Sequence, residues 1–154
     1  MTRADSLRSL EREVGVMIRR VRRVIGERAR AVHPELQPAS YLILAHVAQS
    51  GPVRASMLVE LFDIDKGAIS RQIGHLLDLG LLAKEPDPAD ARASLISLTD
   101  EARRRMADVA AHRHKLLDEN LADWSAEELE GFVGELSRYN QALNQACGVP
   151  PELS

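Results

Sequence analysis

The chain begins with a long stretch in which apolar residues recur at alternating steps of three and four. This spacing places one apolar stripe along an α-helix and predicts a long first helix. We expect Asp5 or Ser6 to cap its start, and His33-Pro34 to end it, because a proline pushes the preceding residue out of the helical region. The stripe consists of Leu7, Leu10, Val14, Met17, Val21 and Val24.

A second helix is predicted over residues 39–50, where apolar residues are dense and Gly51-Pro52 follows as a terminator. Its apolar side chains are expected to be largely buried: Leu42, Leu44, Ala45 and Val47.

Two shorter helices are predicted next, near residues 55–62 and near residues 65–79, with a turn of about three residues between them. The first should point Met57, Leu58 and Leu61 inward. Gly80 follows the second helix at the position where a left-handed residue commonly ends a helix. The pair has the spacing of a helix-turn-helix.

Two short strands are predicted over residues 82–85 and 94–98, separated by a turn-rich stretch at residues 86–92. A hairpin with a polar tip in this place is typical of a wing. A long helix should then begin at Thr99 and reach about Leu121, with an apolar side that is expected to include Leu116 and Leu117. The sequence from Ser125 to Glu128 is a capping box that opens the last helix.

The order of these elements predicts a mainly α (α+β) fold, a winged helix-turn-helix with long flanking helices, and composition favours packed helices over a sandwich. The 154 residues suit one domain, and aromatic residues make up only 3%, so the core must consist of Leu, Val, Ile and Ala. We find no apolar run of about 20 residues and no signal-peptide pattern, so a cytoplasmic protein without membrane contact is expected. A single cysteine, Cys147, excludes an internal disulfide and is expected to fill space.

Charge is unevenly distributed although the net charge is only −3. Residues 1–35 carry nine arginines and five acids, whereas residues 118–154 carry one arginine and eight acids. Residues 36–117, the winged lobe and the connecting long helix, are balanced. The apolar stripes of the two end segments exceed what a small lobe can cover, so these segments are predicted to pack against a second copy of the chain. The arginine cluster at residues 19–23 is expected either to pair with the acidic last helix or to remain solvated.

The second helix of the pair is the candidate recognition element. Its 3.6-residue period puts Ile69, Ile73 and Leu76 on the inner face, which leaves a face of short and modestly charged side chains exposed. Glycine within a helix costs about 1 kcal/mol relative to alanine, so two on one face suggest a close approach by a partner such as a DNA major groove. The exposed set comprises Lys66, Gly67, Ser70, Arg71, Gly74, His75 and Asp78.

The stretch from residue 53 to residue 100 resembles the MarR (multiple antibiotic resistance regulator) family, notably in DKGAISRQI, LGLL, DPADAR and SLTD. The resemblance implies a homodimer whose recognition helices enter consecutive major grooves of a pseudo-palindromic operator, with half-sites about 10 base pairs apart. It also implies that Asp90 orients Arg92 for entry into the minor groove. Lys84 stands where many relatives have arginine, so a point-charge contact with phosphate is expected. Arg54 is expected either to reach a phosphate or to be an ordinary surface residue.

Many members of this family release DNA when an aromatic acid or another lipophilic anion binds. His33, Tyr41, His46 and Arg113 are the candidate pocket residues here, and each has an ordinary structural role as its alternative. We expect no cofactor, no metal site and no catalytic set, because no phosphate loop, nucleophile elbow or clustered histidines are present. Two alternatives to a ligand-released repressor remain open: an effector-independent architectural DNA-binding protein and a winged-helix module that binds proteins.

Overall fold

The computed structural model of the protein describes residues 1–62 and 65–147, with side chains described up to residue 144. The chain divides into two compact units, Met1–Ala110 and Ala111–Ser154. The helices and strands of the described residues, in chain order, are α1 (Arg3–Val32), α2 (Pro38–Ser50), β1 (Val53–Arg54), α3 (Ala55–Phe62), α4 (Lys66–Asp78), β2 (Leu82–Asp87), β3 (Asp90–Leu98), α5 (Asp100–Asn120) and α6 (Ala126–Cys147). The mainly α winged helix-turn-helix fold is confirmed. Whether the whole chain forms one domain stays a prediction, and the side chain of Cys147 lies outside the described part.

The first helix begins earlier than the sequence suggested. Thr2 is the N-cap, and its hydroxyl accepts a hydrogen bond from the Asp5 amide at 3.2 Å. The Asp5 carboxylate accepts a hydrogen bond from the Thr2 amide in return, at 2.9 Å. Naming Asp5 or Ser6 as the cap was therefore wrong, since Asp5 is the third helical residue of a capping box. The predicted end is correct, because His33 already has an extended backbone.

The core of the first unit lies where α2, α3 and α4 meet the sheet and the end of α1. It consists of aliphatic side chains together with Tyr41: Ala29, Val32, Leu36, Tyr41, Ile43, Leu44, Val47, Leu58, Ile69, Ile73, Leu76, Leu81, Leu82, Ile96, Leu98 and Ala102. Two inward assignments were wrong, because Leu42 is 39% exposed and Met57 is 46% exposed. Each is next to a residue that is fully buried, Ile43 and Leu58 respectively, and a step of about 100° turns it away from the core.

The three strands form one antiparallel sheet in the order β1-β3-β2. Strand β1 was not predicted, because two residues show no alternation that a pattern can reveal. The hairpin is longer than predicted, since pairing continues to Asp87 opposite Asp90 after a register shift between Pro86 and Asp87. Most of the stretch expected to be a turn is therefore strand, and only Pro88 and Ala89 lie between the strands.

The end of α4 and the start of α5 are joined at the base of the wing. Gly80 has φ +70°, and the amides of Gly80 and Leu81 bond the carbonyls of Leu77 and Leu76, both at 3.0 Å. This is the left-handed helix end that the sequence predicted. The Thr99 hydroxyl caps α5 by accepting from the Ala102 amide at 3.2 Å and donates to the Gly80 carbonyl at 2.8 Å.

Arg105 fixes the end of α1 against α5. Its Nη1 donates to the Val32 carbonyl at 2.9 Å, and its Nε donates to Glu101 Oε1 at 2.7 Å. The Val32 carbonyl lies in the last turn of α1, where carbonyls have no backbone partner within the helix. Arg105, on α5, therefore acts as a C-terminal cap of α1. Hydrogen bonds from Arg105 and Arg104 hold the pKa of Glu101 below its usual value.

The second unit contains the end of α5 and the last helix. The predicted capping box is confirmed: the Ser125 hydroxyl accepts from the Glu128 amide at 3.1 Å, and Glu128 Oε2 accepts from the Ser125 amide at 2.7 Å. Trp124 and Phe132 pack edge to face, with ring centroids 5.6 Å apart. Leu116 and Leu117 are 44% and 47% exposed, so only the first part of the apolar side of α5, which includes Ala102, is buried. None of the helices in the described part combines the length and apolar character needed to cross a membrane.

Candidate nucleic-acid interface

Helix α4 presents a polar face with short side chains. Asp65 caps its start by accepting a hydrogen bond from the Ala68 amide at 3.1 Å. Ile69, Ile73 and Leu76 are buried against the core, as the helical period predicted. Lys66, Ser70 and Arg71 are exposed on the other side.

Gly67 lies beneath two functional groups of the first turn. A methyl group at this position would come within 3.0 Å of Asp65 Oδ2 and 3.4 Å of Arg71 Nη1. Glycine here therefore leaves room both for the capping carboxylate and for the Arg71 guanidinium above the turn. Gly74 differs, because no atom in the described part of the chain lies within 4 Å of a methyl group placed there. The space above Gly74 is open to a partner.

His75, on α4, contacts a residue outside its own helix. Its Nε2 lies 3.4 Å from the carbonyl oxygen of Glu35, in the connection between α1 and α2. The Glu35 amide donates to Nδ1 of His33 at 3.1 Å. These contacts connect the recognition helix to the end of α1 through the backbone of one residue, and they give His75 a structural role that the sequence pattern did not indicate.

The tip of the wing carries Arg92 on an ordered turn. Asp90 Oδ1 accepts a hydrogen bond from the Arg92 backbone amide at 3.0 Å. The carboxylate thus fixes the backbone that carries Arg92, and the entry of Arg92 into a minor groove stays a prediction. Arg92 is exposed near the start of β3, and Lys84 is exposed on β2 opposite Ile96.

Asp87 is the residue of this region that sequence reasoning missed. Its side chain is only 8% exposed, and both oxygens are bonded. Oδ1 accepts from the Ala89 amide at 2.9 Å, and Oδ2 accepts from Arg54 Nε at 2.6 Å. The Ala89 hydrogen bond holds the pKa of Asp87 below its ordinary value of 3.8, with help from Arg54 and against the effect of burial. The folding stability that the ionised carboxylate contributes is present above pH 3.8 and is lost as the pH falls through the lowered pKa of the folded protein.

The four residues proposed for a ligand pocket have separate surroundings. Tyr41 is buried in the core, and His46 packs edge to face on Phe62 with centroids 6.2 Å apart. His33 bonds the Glu35 amide, as described above. Arg113 belongs to the other compact unit. The pocket therefore stays a prediction.

Comparison with known proteins gives a consistent result. The sequence model that describes the MarR family matches residues 35–93 of this chain. The chain is 30% identical over 143 residues to the uncharacterized HTH-type transcriptional regulator YxaD of Bacillus subtilis (strain 168), an alignment that covers 93% of this chain and 99% of YxaD.

Solved structures show the same fold. A probable transcriptional regulator from Pseudomonas aeruginosa is 25% identical with a TM-score of 0.58, over 84% of this chain and 98% of that one. Wild-type MarR from E. coli in its apo form is 19% identical with a TM-score of 0.66, over 84% of this chain and 95% of that one. The protein therefore belongs to the MarR family of winged helix-turn-helix transcriptional regulators.

Proposed function

We propose that the protein is a homodimeric repressor that binds a pseudo-palindromic operator and releases it when a small aromatic or lipophilic molecule binds. The DNA-binding part of this proposal rests on a single observation. Helix α4 exposes a face of mostly short side chains, and Arg71 and Lys66 lie on it. The wing adds Arg92 on its ordered tip. An α-helix of this kind fits the major groove, and an arginine on a hairpin tip suits the negative potential of a narrow minor groove.

Each predicted contact has a separate role in this proposal. Arg71 and Ser70 read base edges, while Lys66 and Lys84 contact phosphates. Gly74 allows close approach of the groove, Gly67 leaves room for the Arg71 guanidinium, and Asp90 sets the backbone of Arg92. His75 stays at the edge of this surface, since its ring also contacts the Glu35 carbonyl.

Dimerisation is supported by apolar side chains that one chain leaves uncovered. These are large, and 40% or more of each is exposed: Leu7, Leu10, Met17, Ile18 and Val21 on α1, and Phe132, Val133 and Leu143 on α6. Solvent-exposed stripes on long helices are typical of surfaces that a second copy covers. The opposite charges of residues 1–35 and 118–154 favour the same assembly.

The direct test is fluorescence anisotropy of the purified protein on the DNA upstream of its own gene, measured across a salt series. We expect a dissociation constant of about 10 nM or tighter on one segment, far weaker binding to scrambled DNA, and a steep decrease with salt. Aromatic acids are then screened for release of the bound DNA.

Each other outcome points to a different function. Salt-dependent binding of equal strength on every duplex would favour an architectural protein. Absence of binding at low salt would contradict the repressor proposal and favour a winged-helix module that binds proteins. Operator binding that no small molecule weakens would retain the regulator and remove its ligand.

Gly74→Ala is expected to change stability and DNA binding in opposite directions. Alanine is preferred over glycine within a helix by about 1 kcal/mol, and the methyl group meets no atom of the described residues, so the variant should unfold at a slightly higher temperature. In the complex the same methyl group would face the groove, and we expect about tenfold weaker binding. Thermal unfolding and anisotropy measure the two effects.

Gly131→Ala on α6 is the matched control, because a methyl group there also meets no described atom within 4 Å. It should stabilise its helix without weakening operator binding in dimers of equal concentration. Unchanged affinity in Gly74→Ala would show that this part of α4 does not approach the DNA.

A further inference from the structure

Arg54 ends β1 and immediately precedes α3, the first helix of the helix-turn-helix. Its partner Asp87 ends β2, on the opposite edge of the sheet, because the strand order is β1-β3-β2. Arg54 is in register with Leu95 of β3, and Leu95 is in register with Glu85 of β2. The Arg54 side chain therefore crosses the central strand to reach Asp87. One ion pair joins the beginning of the helix-turn-helix to the far strand of the wing.

Asp87 also determines the shape of the wing tip. It follows the register shift after Pro86, and its Oδ1 closes a turn by accepting from the Ala89 amide. Asp90 repeats this arrangement with the Arg92 amide. Two successive side-chain turns thus lead from the Arg54 contact to the backbone of Arg92, and the first of them depends on the carboxylate that Arg54 holds.

We propose that Arg54 and Asp87 are positioning residues, whose ion pair holds the wing and its Arg92 in a fixed place relative to the helix-turn-helix. This inference rests on the proposed DNA-binding function and reassigns Arg54 from a phosphate contact. Arg54 Nε and Nη2 are both 2.6 Å from Asp87 Oδ2, and the carboxylate is almost fully buried. An arginine that turned away to a phosphate would leave that carboxylate buried without its cation, which is costly.

The surroundings of the pair support the same role. A buried carboxylate near DNA would repel phosphates if it were not neutralised, and Arg54 supplies the compensating charge within hydrogen-bond distance. The arrangement also uses the planar guanidinium in a way that lysine cannot reproduce, because two donors of Arg54 converge on one oxygen.

The first measurement is made on the free protein, without DNA. Arg54→Met and Asp87→Asn are compared with the wild type by amide hydrogen exchange. We expect the Ala89 and Arg92 amides to exchange at least several-fold faster in both variants, while the amides of α2 and α4 keep their protection. Arg138→Met is the control, since it removes another arginine–carboxylate pair, with Glu135 on α6. Unchanged exchange at Ala89 and Arg92 would overturn the proposal.

The second measurement is a mutant cycle on DNA. Arg54→Met and Asp87→Asn should each weaken operator binding by about tenfold, within the range found for coupled neighbours. Neither should weaken it further once Arg92 is replaced by alanine, because both act through Arg92. Arg54→Lys should recover only part of the loss.

A direct phosphate contact by Arg54 predicts different results. Arg54→Met would then weaken binding equally in the Arg92→Ala background and lower the salt slope there by about 0.9, whereas Asp87→Asn would not. That pattern would overturn the positioning role. If the wild type binds no DNA at all, the proposed function fails, and the exchange experiment still decides whether the pair orders the wing.

Discussion

A variant with both Arg71→Ala and Arg92→Ala is expected to bind its operator roughly a thousandfold more weakly than the wild type. Each arginine contact with a base edge or a groove contributes about 1–3 kcal/mol, and two contacts on separate elements should add. Both side chains are exposed and neither supports the core, so the thermal unfolding temperature should stay close to that of the wild type. Anisotropy titrations on the operator and on scrambled DNA measure the loss.

Comparing the operator with scrambled DNA separates a loss of base contacts from a general loss of affinity. Loss of base contacts should reduce operator binding more than binding to scrambled DNA, so the ratio of the two affinities should fall. Arg138 is an exposed arginine on α6 outside the proposed surface, and Arg138→Ala controls for the loss of one positive charge, half the change in the double variant. If Arg138→Ala alone reduced the affinity for the operator equally, Arg71 on α4 and Arg92 on the wing would make no specific contact with the DNA.

Replacing Leu58 with alanine is expected to destabilise the protein by about 2–5 kcal/mol, the usual cost of removing a buried leucine. Leu58 is fully buried in α3, between the other helices and the sheet. The cavity would loosen the support on which α4 lies, and DNA binding should weaken at temperatures where the variant is partly unfolded. Urea unfolding at fixed protein concentration measures the change, since assembly also contributes to stability.

Met57→Ala provides a matched control in the same helix. Met57 is half exposed, and alanine has a high helix propensity, so the expected change is below about 1 kcal/mol. A comparable loss of stability in both variants would contradict the orientation of α3, in which Leu58 is buried and Met57 is half exposed. It would also restore the earlier expectation that Met57 faces inward.

The helices could be predicted from the sequence because their signals are local. The period of Ile69, Ile73 and Leu76, and the glycine after α4, are visible in the sequence and were confirmed. Strand β1 lacks such a signal, since it exists only because β3 lies beside it. The burial of neighbouring positions such as Met57 and Leu58 also depends on where the helix axis lies, and spacing alone does not determine that.

Predictions for the site were limited in a similar way. The exposed face of α4 follows from its period, and the wing was predicted from two short strands on either side of a turn-rich stretch. Family membership confirms that the chain is a transcriptional regulator rather than an enzyme. The pairing of Arg54 with Asp87 joins residues 33 positions apart, and the His75 contact with Glu35 joins residues 40 apart. No local pattern specifies such contacts, because they arise only when the elements pack.

The hydrogen bond between Thr99 and Gly80 closes the wing at its base. The chain leaves α4 at Gly80 and returns at Thr99, so the hairpin between these residues has fixed ends. Lengthening a closed loop costs only about 0.6 kcal/mol for each doubling of its length, and the tip at Pro88 and Ala89 is exposed. Insertions at this tip should therefore cost the fold little, although they would alter the Asp87–Ala89 turn and with it the place of Arg92. The reach of the wing along DNA can thus diverge between relatives while the helices stay unchanged.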